Sequence, residues 1–240
     1  MLLTSLDAPG VSTGALAWPG ARKMFENAFD LNVERRIKYL WRLALTWQVR
    51  GRLLREIEGQ AMAEALFRAQ PRAFYPVMNH LIDRRMNARE RLQATLDSLR
   101  VVCGSVGDEA NVRTLLTQGI TLLELTDRTR VVLSLNDVSF HEGLWQIGLV
   151  GEDGLRLYSI GFGFTDARTL LMGNVQGPSL KDDGLDRIRD ATHAAHGMRP
   201  PHLLVHTLRV LAAAWGATRL QGVDRLSTDR FFRRSGTVSE

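Results

Sequence analysis

The feature that most constrains this chain is a run of closely spaced apolar segments between Leu133 and Pro178, reading LSLNDVSFHEGLWQIGLVGEDGLRLYSIGFGF and then LLMGNVQGP. Turn signals separate the segments, the pattern of an antiparallel meander. In the segment LRLYSIGFGF the side chains alternate sharply. Tyr158, Ile160, Phe162 and Phe164 fall on one face of a strand, and Ser159, Gly161 and Gly163 on the other, because strand side chains alternate with period two. One face is bulky core. The other is nearly bare backbone, and glycine inside a strand marks the close approach of a ligand or of another piece of backbone, the alternative here being a helix packed tightly against the face.

The flanking sequence supplies helices. Val33, Ile37, Leu40, Trp41, Leu43, Leu45 and Trp47 recur at helical spacings, and Leu53, Leu54, Ile57 and Ala61 continue the pattern, so a helix is expected over 31–68 with Asp30 as N-cap. A second is expected from Met86 to Val102, with the period changing from 3.6 to 2 around Gly104. After the meander, Asp182 to His196 reads as a helix closed by Gly197, and Pro200 and Pro201 open another that is apolar nearly all round and should be buried. ATRLQGVD reads as a last strand, which a strand–helix–strand connection sets parallel to an earlier one. The expected class is α+β: an N-terminal helical region, a mixed and mostly antiparallel sheet, two C-terminal helices and a final parallel strand. Residues 1–20 read as a loose tail, 21–103 as the helical region and 104–240 as the α+β domain, the latter two forming one compact unit.

Several classes drop out. No apolar run reaches the ~18 residues of a membrane span, and the N-terminus lacks the basic-then-apolar pattern of a signal peptide, so a cytoplasmic protein is expected, at most peripheral at the inner membrane. Cys103 is alone, which excludes an internal disulfide and a cysteine metal site; it reads as a small buried hydrophobe. His193 and His196, and His202 and His206, share helix faces, but Leu203 stands where a zincin carries its glutamate, so no metal is expected. Aromatics are not interleaved with the basic stretches, so no nucleic acid is expected. The net charge of +5 is carried mainly by arginines of the helical region, including Arg35, Arg36, Arg42, Arg50, Arg52 and Arg55. Such a surface suits an anionic membrane, or is simply a solvated face with glutamates interleaved.

SLNDVSFHEGLWQIGLVGEDGLRLYSIGFGF, MGNVQGP and HGMRPPHLLVHTLRVLAAAWGATRLQGV, in this order and spacing, resemble the VirK/YbjX family of Gram-negative bacteria, over roughly residues 65 to 224. The resemblance implies a factor for envelope integrity, virulence and survival against cationic antimicrobial peptides, with no established molecular activity. Two departures stand out: Met78–Asn79–His80 replaces an Arg-Pro-Tyr type connector, and only DRLSTDRFFRRSGTVSE follows the last strand, where family members carry a longer basic, aromatic-rich tail. The architecture is also similar to the acyl-CoA-binding half of GNAT-type acyltransferases. That second resemblance implies an acyl-CoA site before the helix at 202, with Arg199 supplying charge where the repeated glycines of those enzymes are missing.

His141 and Glu142, between two strands, are candidate catalytic groups, Glu142 as a general base; the alternative is that they satisfy backbone groups at a turn. Ser159, Gly161, Gly163, Gln176 and Gly177 would line a narrow cofactor cleft facing Arg199. Asn136 and Asp137 read as turn or bulge residues. Two functions follow: an envelope factor acting at the inner membrane face through basic helices, or an acyl or aminoacyl transferase acting on an envelope component.

Overall fold

The structure, a computed structural model, describes residues 15–24, 33–126, 129–137, 139–178, 184–224 and 227. Asp30 and Asp182 lie outside these residues.

The long helix expected over 31–68 is three helices: α2 (Val33–Leu45), α3 (Trp47–Ile57) and α4 (Ala61–Ala69), preceded by the short α1 (Ala21–Met24). At the first break Thr46 folds its hydroxyl back onto the Arg42 carbonyl at 2.6 Å, a bond that bends helices. At the second, Gly59 takes φ +77°, where a side chain would be strained. A 3-10 turn (Pro71–Phe74) and the short α5 (Tyr75–Met78) lead to α6 (Ala88–Val106). Asn87 caps α6 with a full capping box. Its Oδ1 accepts from Arg89 N and Glu90 N, while Glu90 Oε2 accepts from Asn87 N at 2.7 Å.

Helix α7 (Glu109–Thr117) is an element the periodicity did not reveal; Asp108 caps it by accepting from Asn111 N at 2.8 Å. The last six residues of the expected tail are seated on the helical region. The Trp18 ring lies 4.5 Å from Phe74, and the Pro19 carbonyl accepts from Tyr39 Oη at 2.6 Å.

The sheet follows the expected meander. Strands β1 (Ile120–Thr126), β2 (Thr129–Leu135), β3 (Trp145–Gly151), β4 (Arg156–Asp166) and β5 (Thr169–Gln176) pair antiparallel in sequence order. The chain then crosses through α8 (Gly184–Ala194) and α9 (Pro200–Ala214), and β6 (Arg219–Gly222) joins β5 in parallel, completing a six-stranded sheet.

Helices pack on both faces of β4. Phe162 and Phe164 meet Trp215, at the end of α9, with ring centroids 5.8 and 6.0 Å away. On the opposite face a Cβ at Gly163 would lie 3.0 Å from Ser98 Oγ, on α6. Ser98 ties α6 to two strands. Its carbonyl accepts from the Trp145 indole at 3.0 Å and its hydroxyl accepts from the Phe164 N–H at 2.7 Å. Cys103, on the same helix, is buried, and desolvation pushes its thiol up to about 12.

One helix departs from the burial its pattern predicts. In α9, Leu203, Leu204, Leu208 and Ala212 are buried while Val210 and both histidines face outward, so it is an amphipathic layer helix and not one buried all round. In α2 the wall side is Tyr39 and the half-buried Leu43, and most of the apolar stripe faces outward.

Candidate functional site

The candidate site is the polar cluster on the bare face of the sheet. The chain leaves β2 at Asn136, whose side chain closes a local turn by donating Nδ2–H to the Ser139 carbonyl at 2.9 Å and accepting from Ser139 N at 3.2 Å. A 3-10 turn (Phe140–Glu142) follows. It is pinned from outside the sheet, where the His141 carbonyl accepts from Ile82 N at 2.7 Å. Gly143, at φ +138°, returns the chain to β3 across the backbone of Phe162; a Cβ there would lie 2.4 Å from Phe162 N.

This turn sets the Glu142 carbonyl over two glycines. A Cβ would lie 2.6 Å from that oxygen at Gly161 and 2.2 Å at Gly173. The close approach signalled by Ser159, Gly161 and Gly163 is thus made by the chain itself: the Glu142 turn at Gly161, and Ser98 with Ile82 at Gly163. Gly177 packs over the Tyr158 ring, at 2.9 Å from a notional Cβ.

The half-buried Glu142 side chain is held by two amides of β5. Asn174 Nδ2 donates to Oε1 at 3.4 Å, and Gln176 Nε2 donates to Oε2. Ser159 is paired with Gln176 across β4 and β5, so both share this face. His141 sits beside the carboxylate in sequence, with Nε2 3.4 Å from Ser139 Oγ. A second polar group lies along β3. The buried Gln146 donates to the Leu135 carbonyl at 2.9 Å and accepts from the Arg156 guanidinium at 2.6 Å, which lies 3.7 Å from Asp137. Asn174, Gln146 and Arg156 were missed by the reading of the sequence. The available signal was an amide inside an otherwise apolar strand, at LWQIGLV and LLMGNV.

The structure therefore brings Glu142 together with Gln176, Ser159 and Gly161, and seats Gly163 beside them on β4. It joins Arg199 to none of them by a described hydrogen bond or ion pair. Arg199 is the exposed N-cap of α9, and its carbonyl accepts from His202 N and Leu203 N. The amides of His196, Gly197 and Met198 also bond to the chain's own carbonyls, and Pro200 and Pro201 have none. No set of open amides of the kind that cradles a pyrophosphate is built from these residues. Among the described residues, no group of three His, Cys, Asp or Glu side chains could hold a metal ion. The cluster can orient a carboxylate at the end of a strand and present it at a half-buried surface.

The sequence pattern described as "Protein of unknown function (DUF535)" matches residues 30–236. A Mannheimia haemolytica protein named Membrane protein LapB is 26% identical over 208 residues, covering 86% of this chain and 90% of that protein. A Haemophilus influenzae protein, named only as uncharacterized, is 34% identical over 139 residues, 58% of this chain and 47% of its own length. A second from the same organism is 28% identical over 151 residues, 62% and 50% of the respective lengths. The match thus spans about half of each Haemophilus protein. No solved structure matches the chain.

Proposed function

Because the chain belongs to the VirK/YbjX family, whose pattern carries the description "Protein of unknown function (DUF535)", we propose that it is a bacterial envelope-associated factor that works from the inner face of the membrane. In this reading its loss weakens envelope integrity, virulence and survival against cationic antimicrobial peptides. The observation that carries the reading is the similarity to Membrane protein LapB along nearly the whole of both chains. Among the described residues no helix is long and apolar enough to cross a membrane. In this reading association is peripheral, with the arginines of α2 and α3 drawn to anionic headgroups. The test is genetic. Deleting the gene in its host should sensitise the cells to a cationic peptide and to detergent, and the full chain supplied in trans should restore resistance. Unchanged survival under both challenges would remove the reading.

The Glu142 cluster favours a second reading, transfer of an acyl or aminoacyl group to an envelope component, with Glu142 as the general base. A thermal-shift titration with acetyl-CoA, a long-chain acyl-CoA and free CoA tests it, since a ligand that binds only the folded state raises the melting temperature. The control is Glu142→Gln. Absence of a shift with all three ligands would leave the cluster as a structural clamp.

A further inference from the structure

Helix α2 presents an apolar stripe to solvent. Val33 is 71% exposed, Ile37 61%, Leu40 59%, Trp41 66% and Leu45 66%, and Trp47 continues the stripe into α3 at 65%. The α2 positions are spaced by three or four residues or are neighbours across that spacing, so they share one side of the helix. The other side is the one that packs: Tyr39 is 1% exposed and bonds to the Pro19 carbonyl. Contiguous apolar surface of this kind is rare on a soluble monomer and marks an interaction site.

We propose that α2 is an in-plane membrane anchor, lying in the headgroup layer of an anionic bilayer with Val33, Ile37, Leu40, Trp41 and Leu45 directed into the acyl boundary. This rests on the membrane-face reading above and names the surface that makes the contact. Three observations select a bilayer as the occupant. First, the rim is basic. At 100° per residue, Arg36 lies on one flank of the stripe and Lys38 on the other, both exposed, with Lys38 paired to Glu34, whose position falls within the stripe's arc. On α3 the exposed Arg55 and Arg52 follow, Arg52 paired to Glu56, so these four cations stand against two carboxylates. Cations bordering an apolar face complement anionic headgroups. Second, the stripe carries Trp41 and Trp47, and tryptophan prefers the headgroup level. Third, at ~1.5 Å per residue α2 is roughly 20 Å long, too short to cross a bilayer but suited to lie along it.

The experiment is flotation of the purified full chain with vesicles of phosphatidylcholine alone or with phosphatidylglycerol added, across a salt series. The variants are Ile37→Ser/Trp41→Ser on the stripe and Arg52→Glu/Arg55→Glu on the basic rim. The wild type should float with the phosphatidylglycerol vesicles, with a blue shift of tryptophan emission. The stripe variant should lose about tenfold or more in vesicle affinity, since two buried apolar side chains are removed. It should melt no lower than the wild type, because both side chains are exposed in the free protein. The rim variant should bind more weakly and with a shallower salt dependence, since Arg36 and Lys38 remain, while the residual binding keeps the blue shift.

Equal flotation of wild type and stripe variant would overturn the proposal, and so would failure of the wild type to float. A dimer in light scattering that the stripe variant abolishes, with no vesicle binding, would assign the face to a second copy and overturn it as well. Sensitivity of the deletion strain alongside failed flotation would leave the envelope role standing and remove only the anchor.

Discussion

Gly161 and Cys103 are residues whose surroundings make sharp demands. A Cβ at Gly161 would sit 2.6 Å from the Glu142 carbonyl and 3.0 Å from Asn136 Nδ2. The carbonyl belongs to backbone anchored by the Ile82 N–H, so the neighbour cannot swing away as a flexible side chain would. Gly161→Ala should therefore destabilise the fold by about 1–3 kcal/mol, the usual cost of overpacking, read as a lower denaturant midpoint. A midpoint equal to the wild type's would mean the turn does not rest on β4. The glycine alternation was visible in the sequence and correctly signalled a close approach. What approaches was not visible, because the Glu142 turn is brought there by the path of the chain between β2 and β3. Cys103 was legible outright as a small hydrophobe in an apolar run. Its thiol should react with a thiol-specific reagent only after unfolding; stoichiometric labelling of the native protein would contradict its burial.

Helix starts and stops test how far local chemistry decides the elements. Asn87 and Glu90 form a capping box, and α6 carries Ser98, the residue that clamps Trp145 and Phe164. Asn87→Ala should cost about 1 kcal/mol, the usual worth of a cap, lowering the melting temperature, while Asn87→Ser should retain most of the stability. If both variants melt with the wild type, the box contributes nothing. The strands and the two C-terminal helices were legible because apolar runs were punctuated by Gly, Pro and Asp. Thr46 and Gly59 break the first helical stretch although its apolar spacing continues across both, and α7 lies just where the period was read as switching to strand. Periodicity marked α2 as apolar along one side but did not say whether that side is covered, and most of it is exposed. A pattern reports that a helix is amphipathic, and only its neighbours decide whether the apolar side is covered.

Across the whole molecule, the sheet order was legible because each strand from β1 to β5 pairs with the next in sequence, so short turns specify most of the topology. The polar cluster was only half legible. Glu142 stood out beside its turn, but its amide partners Asn174 and Gln176 are 32 and 34 residues away, and bulges between β4 and β5 set which side chains reach it. The charge distribution makes a prediction at the same scale. Asp83 is held below the usual carboxylate range by its hydrogen bond from the Arg85 side chain. Glu64, Asp153 and Asp166 are held low first by the backbone N–H groups of Gly59, Leu155 and Arg168. The unfolded chain then binds more protons than the folded one in acid, so the stability these carboxylates contribute is present above their unfolded values, roughly pH 4, and is lost as pH falls through the folded ones. Burial raises Tyr39 and raises Cys103 to about 12, the opposite sense. Their contribution is complete below the unfolded values, roughly pH 8.5 for the thiol and 10 for the phenol, and is lost as pH rises. The melting temperature should accordingly be level between about pH 5 and 8 and fall on both sides. Cys103→Ala should start the alkaline fall later, because the phenol then titrates alone. An alkaline limb that begins at the same pH in that variant would show that thiol burial does not control it.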